Sequence, residues 1–213
     1  MKKYKTALLA LSALACAFII YTAEAYNPGE ARITAAKQHP VGESALKEIT
    51  QRNAVSDAHT DILAPLLGDW RYTAAFHAVP GIEPQKTEGR ITNEMILENR
   101  VLSGTFMGSL DVAGHLTSVT GQELISYDTA GQEFTSVRID TMRSGMMIGS
   151  GNYDEKQNAL IETGRFTDPR DGVQKNFRSE LKFTDAESYT RTIFVSDETG
   201  RDTKYLEFEY SRP

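Results

Sequence analysis

The feature that most constrains this chain is a turn that recurs three times between Val119 and Asp168. Two apolar-alternating runs end in Tyr127-Asp128 and Tyr153-Asp154, each followed by a polar turn. A third ends in Arg165-Phe166-Thr167-Asp168-Pro169-Arg170-Asp171-Gly172. Aspartate opens each turn because its short carboxylate can accept a hydrogen bond from the backbone N–H two residues on. Gly131 and Gly172 are expected to supply the positive φ with which such loops close. Strand after strand joined by short hairpins is a β-meander.

The same reading extends in both directions. Strand-like runs fall near 69–79, 86–97, 100–107, 116–127, 133–141, 145–153, 158–167, 173–183, 188–196 and 203–211. Alternation is clearest at Phe177, Leu181 and Phe183, with Arg178, Glu180 and Lys182 between them, and at Leu206, Phe208 and Tyr210. Each such strand has one dry face and one wet face. Ten hairpin-linked strands left as an open sheet would expose two edges, and closure removes them. The predicted fold is all-β, a closed antiparallel up-and-down barrel of about ten strands with an N-terminal helical arm. Ten strands exceed the roughly eight whose side chains fill a barrel, so an interior cavity is expected. The connection at Gly108–His115 is the expected mouth loop.

The first 66 residues read differently. Lys2, Lys3 and Lys5 precede an apolar run, Thr6 to Ile20, and Ala23-Glu24-Ala25 has the form of a signal-peptidase site. That run is short for a bilayer span, so residues 1–25 read as a signal peptide and Tyr26 as the mature start. A second reading, lipidation at Cys16, needs a better lipobox than Ala13-Leu14-Ala15. Cys16 is the only cysteine, so cleavage after Ala25 leaves no thiol and no disulfide, which suits a periplasmic or secreted protein. Residues 26–66 form the arm, with helices expected over Glu43 to Asn53 and Asp57 to Leu67. The second has Ile62, Leu63 and Leu66 as its apolar stripe and Pro65 near its end. The arm is read as packing on the domain or as a lid. The barrel domain is 67–213. Cleavage removes three lysines and one glutamate, leaving 20 basic and 28 acidic residues and a net charge of −8. With no Lys/Arg block, nucleic acid is not an expected partner, nor is a stable membrane span after cleavage.

Leu67-Gly68-Asp69-Trp70, Asn99-Arg100-Val101-Leu102 and Tyr127-Asp128 follow one another in order. Arg138-Ile139-Asp140-Thr141-Met142, Gly151-Asn152-Tyr153-Asp154 and Gly164-Arg165-Phe166-Thr167-Asp168-Pro169 with Gly172 continue them. Gly68-x-Trp70 resembles the opening of calycin barrels, the group of lipocalins and fatty-acid-binding proteins. The longer pattern, over roughly 62–212, resembles the bacterial family called domain of unknown function 1579, which is calycin-like. Arg138 stands where that family tends to have Trp. The resemblance implies that a basic residue of the last strand lies over Trp70, and Arg212 fits that place.

Candidate chemistry gathers on one strand. Arg138 and Asp140 share a face with Phe134, Ser136 and Met142, while Val137 and Ile139 share the other. If the first face is inward, Arg138 can hold a carboxylate bidentately; if outward, Arg138 and Asp140 are a solvated pair. Arg165 and Arg178 are further candidates, Arg178 lying in an exposed phase. Tyr153 and Tyr127 stand before their turns, either capping the barrel edge or offering a hydroxyl. Met107, Met142, Met146 and Met147 suit either an adaptable lining or core filling. His39, His59, His77 and His115 have no zinc-site spacing, and no metal or cofactor is expected. No nucleophile elbow, phosphate loop or dinucleotide fingerprint is present.

Three functions follow. The leading one is an exported barrel binding a small apolar or amphipathic molecule, with a carboxylate as one head group Arg138 suits. The second is a cavity isomerase or hydrolase with Asp140 as base and Arg138 or Arg165 stabilising charge. The third is a structural or envelope-interaction protein with a filled barrel. Ligand identity and oligomeric state are not encoded in any of these residues.

Overall fold

The computed structural model describes residues 47–48, 57–77, 81, 83–112, 115–143, 145–197 and 200–213. The expected signal peptide, the first arm helix apart from 47–48, and residue 26 onward to 46 lie outside them. Ten strands follow one short helix: α1 (Asp57–Leu63), a 3-10 turn (Ala64–Leu66), β1 (Gly68–Phe76), β2 (Gln85–Ile96), β3 (Val101–Val112), β4 (His115–Asp128) and β5 (Glu133–Asp140). Then come β6 (Met147–Asp154), β7 (Ala159–Thr167), β8 (Gln174–Phe183), β9 (Ser188–Ser196) and β10 (Asp202–Ser211). Each strand pairs antiparallel with the next, and β1 pairs with β10 from Arg71↔Ser211 to Phe76↔Leu206. The barrel is therefore closed and has no edge to protect.

The turns form as their chemistry dictates. Asp128 Oδ1 accepts from Ala130 N at 2.9 Å, Asp154 Oδ1 from Lys156 N at 2.9 Å, and Asp168 Oδ1 from Arg170 N at 3.0 Å. Gly172 has the expected positive φ of 70°, but in the β4–β5 turn Gln132 takes it (φ 56°) and Gly131 does not. The stretch Gly108–His115 is not a mouth loop. β3 and β4 stay paired as far as Val112↔His115, so those residues extend a long hairpin. One irregularity re-aims a side chain. The β9–β10 register shifts between Lys204 and Leu206, and Tyr205 is buried although it shares the parity of Glu207 and Glu209.

α1 and the 3-10 turn close one end of the barrel. Leu63 and Leu66 are buried, with Ile62 against them, as their spacing predicts. The Leu66 carbonyl has lost its helical partner and instead accepts from Trp70 Nε1 and Asn93 Nδ2, both at 2.8 Å. The Trp70 ring is 1% exposed and meets Tyr189 edge-on, 4.7 Å between centroids. Arg212 lies over it as expected, its guanidinium carbon 3.7 Å from the centroid, with Nη1 donating to Leu67 O at 2.8 Å. The helix, the first strand and the chain's last residues are thus tied at one point. The opposite end carries the β5–β6, β7–β8 and β9–β10 turns.

Trp70→Ala removes a fully buried ring and a hydrogen bond, and is expected to lower stability by about 3–5 kcal/mol in urea unfolding. Arg212→Ala is expected to cost about 0.5–2 kcal/mol, and to cost clearly less in a Trp70→Ala background. Additive losses would show that the pair does not act as a unit.

Candidate functional site

Alternation decides which side chains enter the barrel. On β5 the inward phase is Phe134, Ser136, Arg138 and Asp140, all buried, and Ile139 is exposed. The inward reading of the Arg138 face therefore holds. Three other strands bring charge to the same level. Glu123 follows the phase of Ile125 on β4, Glu162 that of Leu160 on β7, and Arg191 that of Tyr189 and Ile193 on β9. All three are buried.

Arg191 is the hub. Nη1 donates to Glu123 Oε1, Nη2 to Glu162 Oε2 at 3.0 Å, and Nε to Ser179 Oγ at 3.1 Å. Burial raises the Glu123 carboxyl, but the Arg191 and Arg138 guanidiniums outweigh it and hold its pKa below the ordinary value. Burial would lower the Arg191 pKa, and the two carboxylates overcome that and raise it. Tyr210, pushed up chiefly by burial to about 12, stays neutral beside them.

Arg138 is bonded differently. Its guanidinium carbon lies 4.2 Å from the Phe106 centroid and 5.0 Å from that of Phe208, a desolvated cation between two rings. Among the described residues it makes no ion pair within 4 Å, and Nη1 is buried without a hydrogen-bond partner. Glu162 Oε1 is likewise buried and unpartnered. Arg138, Glu162, Glu123, Arg191 and Met147 line one cavity of about 10 Å³, and a second of about 10 Å³ lies toward the helix end beside Leu66 and Tyr189. Each is room for roughly one water molecule. The roomy interior expected from strand count is therefore corrected. Aromatic side chains and the ionic cluster fill the space that ten strands enclose.

The other sequence candidates divide between the far end and the outer surface. Asp140 does not pair with Arg138. Its Oδ1 accepts from Met142 N at 3.0 Å and its Oδ2 lies 3.0 Å from Arg143 Nε, so both oxygens serve the β5–β6 turn. Met142 is half-buried in that turn. Arg165 is exposed on the outer face of β7, and Arg178, also outward, pairs with Glu180 and with Asp202 at 2.8 Å. The two flank an outer groove of about 610 Å³, so neither reaches the interior; β-alternation puts them in the opposite phase to Phe166 and Phe177. Tyr153 bounds a surface groove of about 630 Å³ beside α1, and its hydroxyl donates to Asn158 Oδ1 at 2.6 Å. Tyr127 stacks on His59, 3.5 Å between centroids, which caps the helix end. Among the methionines, Met147 is inside, while Met107 and Met146 are exposed.

The far end has its own cluster. Asp168 is fully buried and takes bonds from Arg170 Nη2 at 2.6 Å and Lys175 Nζ at 2.8 Å. Burial pushes this carboxyl up, and those bonds more than reverse it, leaving its pKa well below the carboxylate range. Arg170 also lies over Phe76 and Tyr205, at 5.5 and 5.0 Å, so the β7–β8 turn is strapped across the β1–β10 seam. Among the described residues, no three His, Cys, Asp or Glu side chains gather as a metal site, and no helix is long and apolar enough to cross a membrane.

Sequence reasoning missed Glu123, Glu162 and Arg191. The signal was there: each occupies the apolar phase of its strand, where a charge has no solvent.

The model of the family described as protein of unknown function (DUF1579) matches residues 56–212. The search of curated proteins finds no match. Among solved structures, the chain is similar to Rv2717c from M. tuberculosis, at 15% identity, covering 72% of this chain and 96% of that one, with TM-score 0.48. It is also similar to the S-type phycobiliprotein lyase CPES from Guillardia theta, at 8% identity, 77% and 96% coverage and TM-score 0.48. A third is EF1p2_mFAP2b bound to DFHBI, at 8% identity, 72% and 98% coverage and TM-score 0.38.

Two outcomes are expected from the ionic clusters. Arg191→Met strands two carboxylates in the core and is expected to cost about 3–5 kcal/mol, measured by urea unfolding. Asp168 has a depressed folded pKa, so the stability it contributes is present above its unfolded value near 4 and is lost as pH falls through the folded value. Asp168→Asn is therefore expected to be less stable at pH 7 and to show a flatter stability curve below about pH 4. Parallel acid limbs for the two proteins would remove Asp168 from the account.

Proposed function

We propose that this chain, which belongs to the DUF1579 family, is a small-molecule-binding barrel that takes the polar head of an amphipathic molecule at Arg138. One observation carries this reading. Arg138 is 8% exposed and, among the described residues, has no anionic partner within 4 Å and keeps a buried N–H without an acceptor. Such a donor costs about 1–3 kcal/mol if left unmade, so its retention calls for a partner that comes from outside. The partner carries an acceptor oxygen. Phe106, Phe208, Met147 and Phe177 are the nearby apolar surface for the rest of it.

Entry is from the end opposite α1. There Met147 forms one wall of the cavity, its sulfur 3.7 Å from Arg143 Nη1. Methionine is unbranched and soft, so this wall moves at low cost where a ring would not. The side chain swings aside and the head reaches Arg138. Residues 1–25 act as the export signal in this reading, which puts the barrel outside the cytoplasm.

A second reading, the filled structural barrel, is favoured by the 10 Å³ size of the interior cavities. Native mass spectrometry of protein purified from its host separates the two. A bound small molecule on the wild-type barrel, absent from Arg138→Met, is the expected result. A bare wild-type mass, with no uptake of added medium- or long-chain amphiphiles, supports the filled barrel instead. The same spectrum reads the N-terminus: a chain starting at Tyr26 is expected, and one retaining Met1 or starting at Cys16 contradicts the cleavage site.

A further inference from the structure

The cavity beside Arg138 is chemically two-sided. Arg138, whose Nη1 is an unpartnered donor, and Glu162, whose Oε1 is an unpartnered acceptor, both line it. Both side chains are more than nine-tenths buried, at 8% and 1% exposure. The charges around this cavity also balance: Arg138 and Arg191 against Glu123 and Glu162. A carboxylate placed there would satisfy Arg138 but set its second oxygen against Glu162, acceptor to acceptor. It would also add a negative charge with no cation left to match it, in a site closed off from bulk water. A neutral group that accepts with one lone pair and donates one hydrogen meets both groups and leaves the balance intact.

We infer that the ligand's head group is neutral and both accepts and donates a hydrogen bond, as a carboxamide or an alcohol does, and is not a carboxylate. This rests on the binding-barrel reading and corrects the carboxylate expected from Arg138 alone. Glu162 is the specificity-determining residue. Its Oε2 is held by Arg191 Nη2, which leaves Oε1 to select a donor. Arg138 orients the head but does not discriminate, since amides, alcohols and acids all present an acceptor.

The test is a titration of the full barrel with dodecanamide, dodecanol and dodecanoate at about pH 8, by calorimetry or by competition against a fluorescent amphiphile. The wild type is expected to bind at least one neutral head about tenfold or more tighter than the carboxylate. In Glu162→Gln the side-chain oxygen stays on Arg191, the amide NH₂ turns to the cavity, and one negative charge is gone. The order is then expected to invert, with dodecanoate bound tightest. Dodecanoate binding tightest to the wild type overturns the inference and leaves the binding barrel standing. An unchanged order in a folded Glu162→Gln protein also overturns it. Binding of none of the three defeats the binding reading itself. The wild-type ranking decides even where Glu162→Gln fails to fold.

Discussion

Charge confined inside a closed sheet is the constraint on which this structure depends. Once β1 pairs with β10, the inward side chains at mid-barrel are shut off from bulk water, and Arg191, Glu123, Glu162 and Arg138 are among them. Ions in such a place are tolerable only as mutual partners with hydrogen bonds to spare. Arg191 meets that demand by spending its guanidinium on two carboxylates and a serine. The cluster joins β4 to the consecutive strands β7, β8 and β9, 68 residues apart at Glu123 and Arg191, so it also fixes how β4 faces them. A purely apolar filling would hold a barrel as well or better, which makes the ionic one a clue to use as much as to stability.

The two ends of the barrel are built for different tasks. At the helix end, Trp70, Asn93 and Arg212 all bond carbonyls of the segment Leu66–Leu67, and the ring of Tyr189 closes on Trp70. Removing that segment from the barrel breaks several bonds at once. At the far end the contacts are turn aspartates with arginines and a lysine, laid over Phe166, Phe76 and Tyr205. The Asp140–Arg143 pair stays within its own turn, Arg170 reaches across to the β1–β10 seam, and Met147 touches both Arg143 and the inner cavity. Opening at this end disturbs one turn and leaves the rest of the ladder intact.

Much of this was legible in the residues. The strand runs, the aspartate turns, the apolar stripe of α1 and the Trp70–Arg212 contact all follow from local rules that tertiary context did not override. The inward facing of Arg138 was one of two open readings, because Val137 and Ile139 make an equally apolar alternate face. What closed the question is strand register around the whole barrel, which no single strand encodes. Tyr205 was hidden by a bulge that breaks its strand's alternation. The hub at Arg191 was overlooked for a different reason. A charge in an apolar phase reads as noise until three strands are seen to bring their charges to one level. The cavity size was misjudged because strand number sets the volume enclosed, and not how much of it aromatic rings and arginines occupy.

The central claim is that the unmatched donor on Arg138 and acceptor on Glu162 are kept for a ligand and not for the fold. Replacing both, in Arg138→Met with Glu162→Leu, removes one charge of each sign and leaves Arg191 paired with Glu123. The most direct measurement is the urea midpoint of this double variant beside the wild type. The account predicts a midpoint equal to or above that of the wild type, because two desolvated and incompletely bonded groups give way to apolar volume. A fall in stability of several kcal/mol would mean that these side chains hold the barrel together, and would contradict the account.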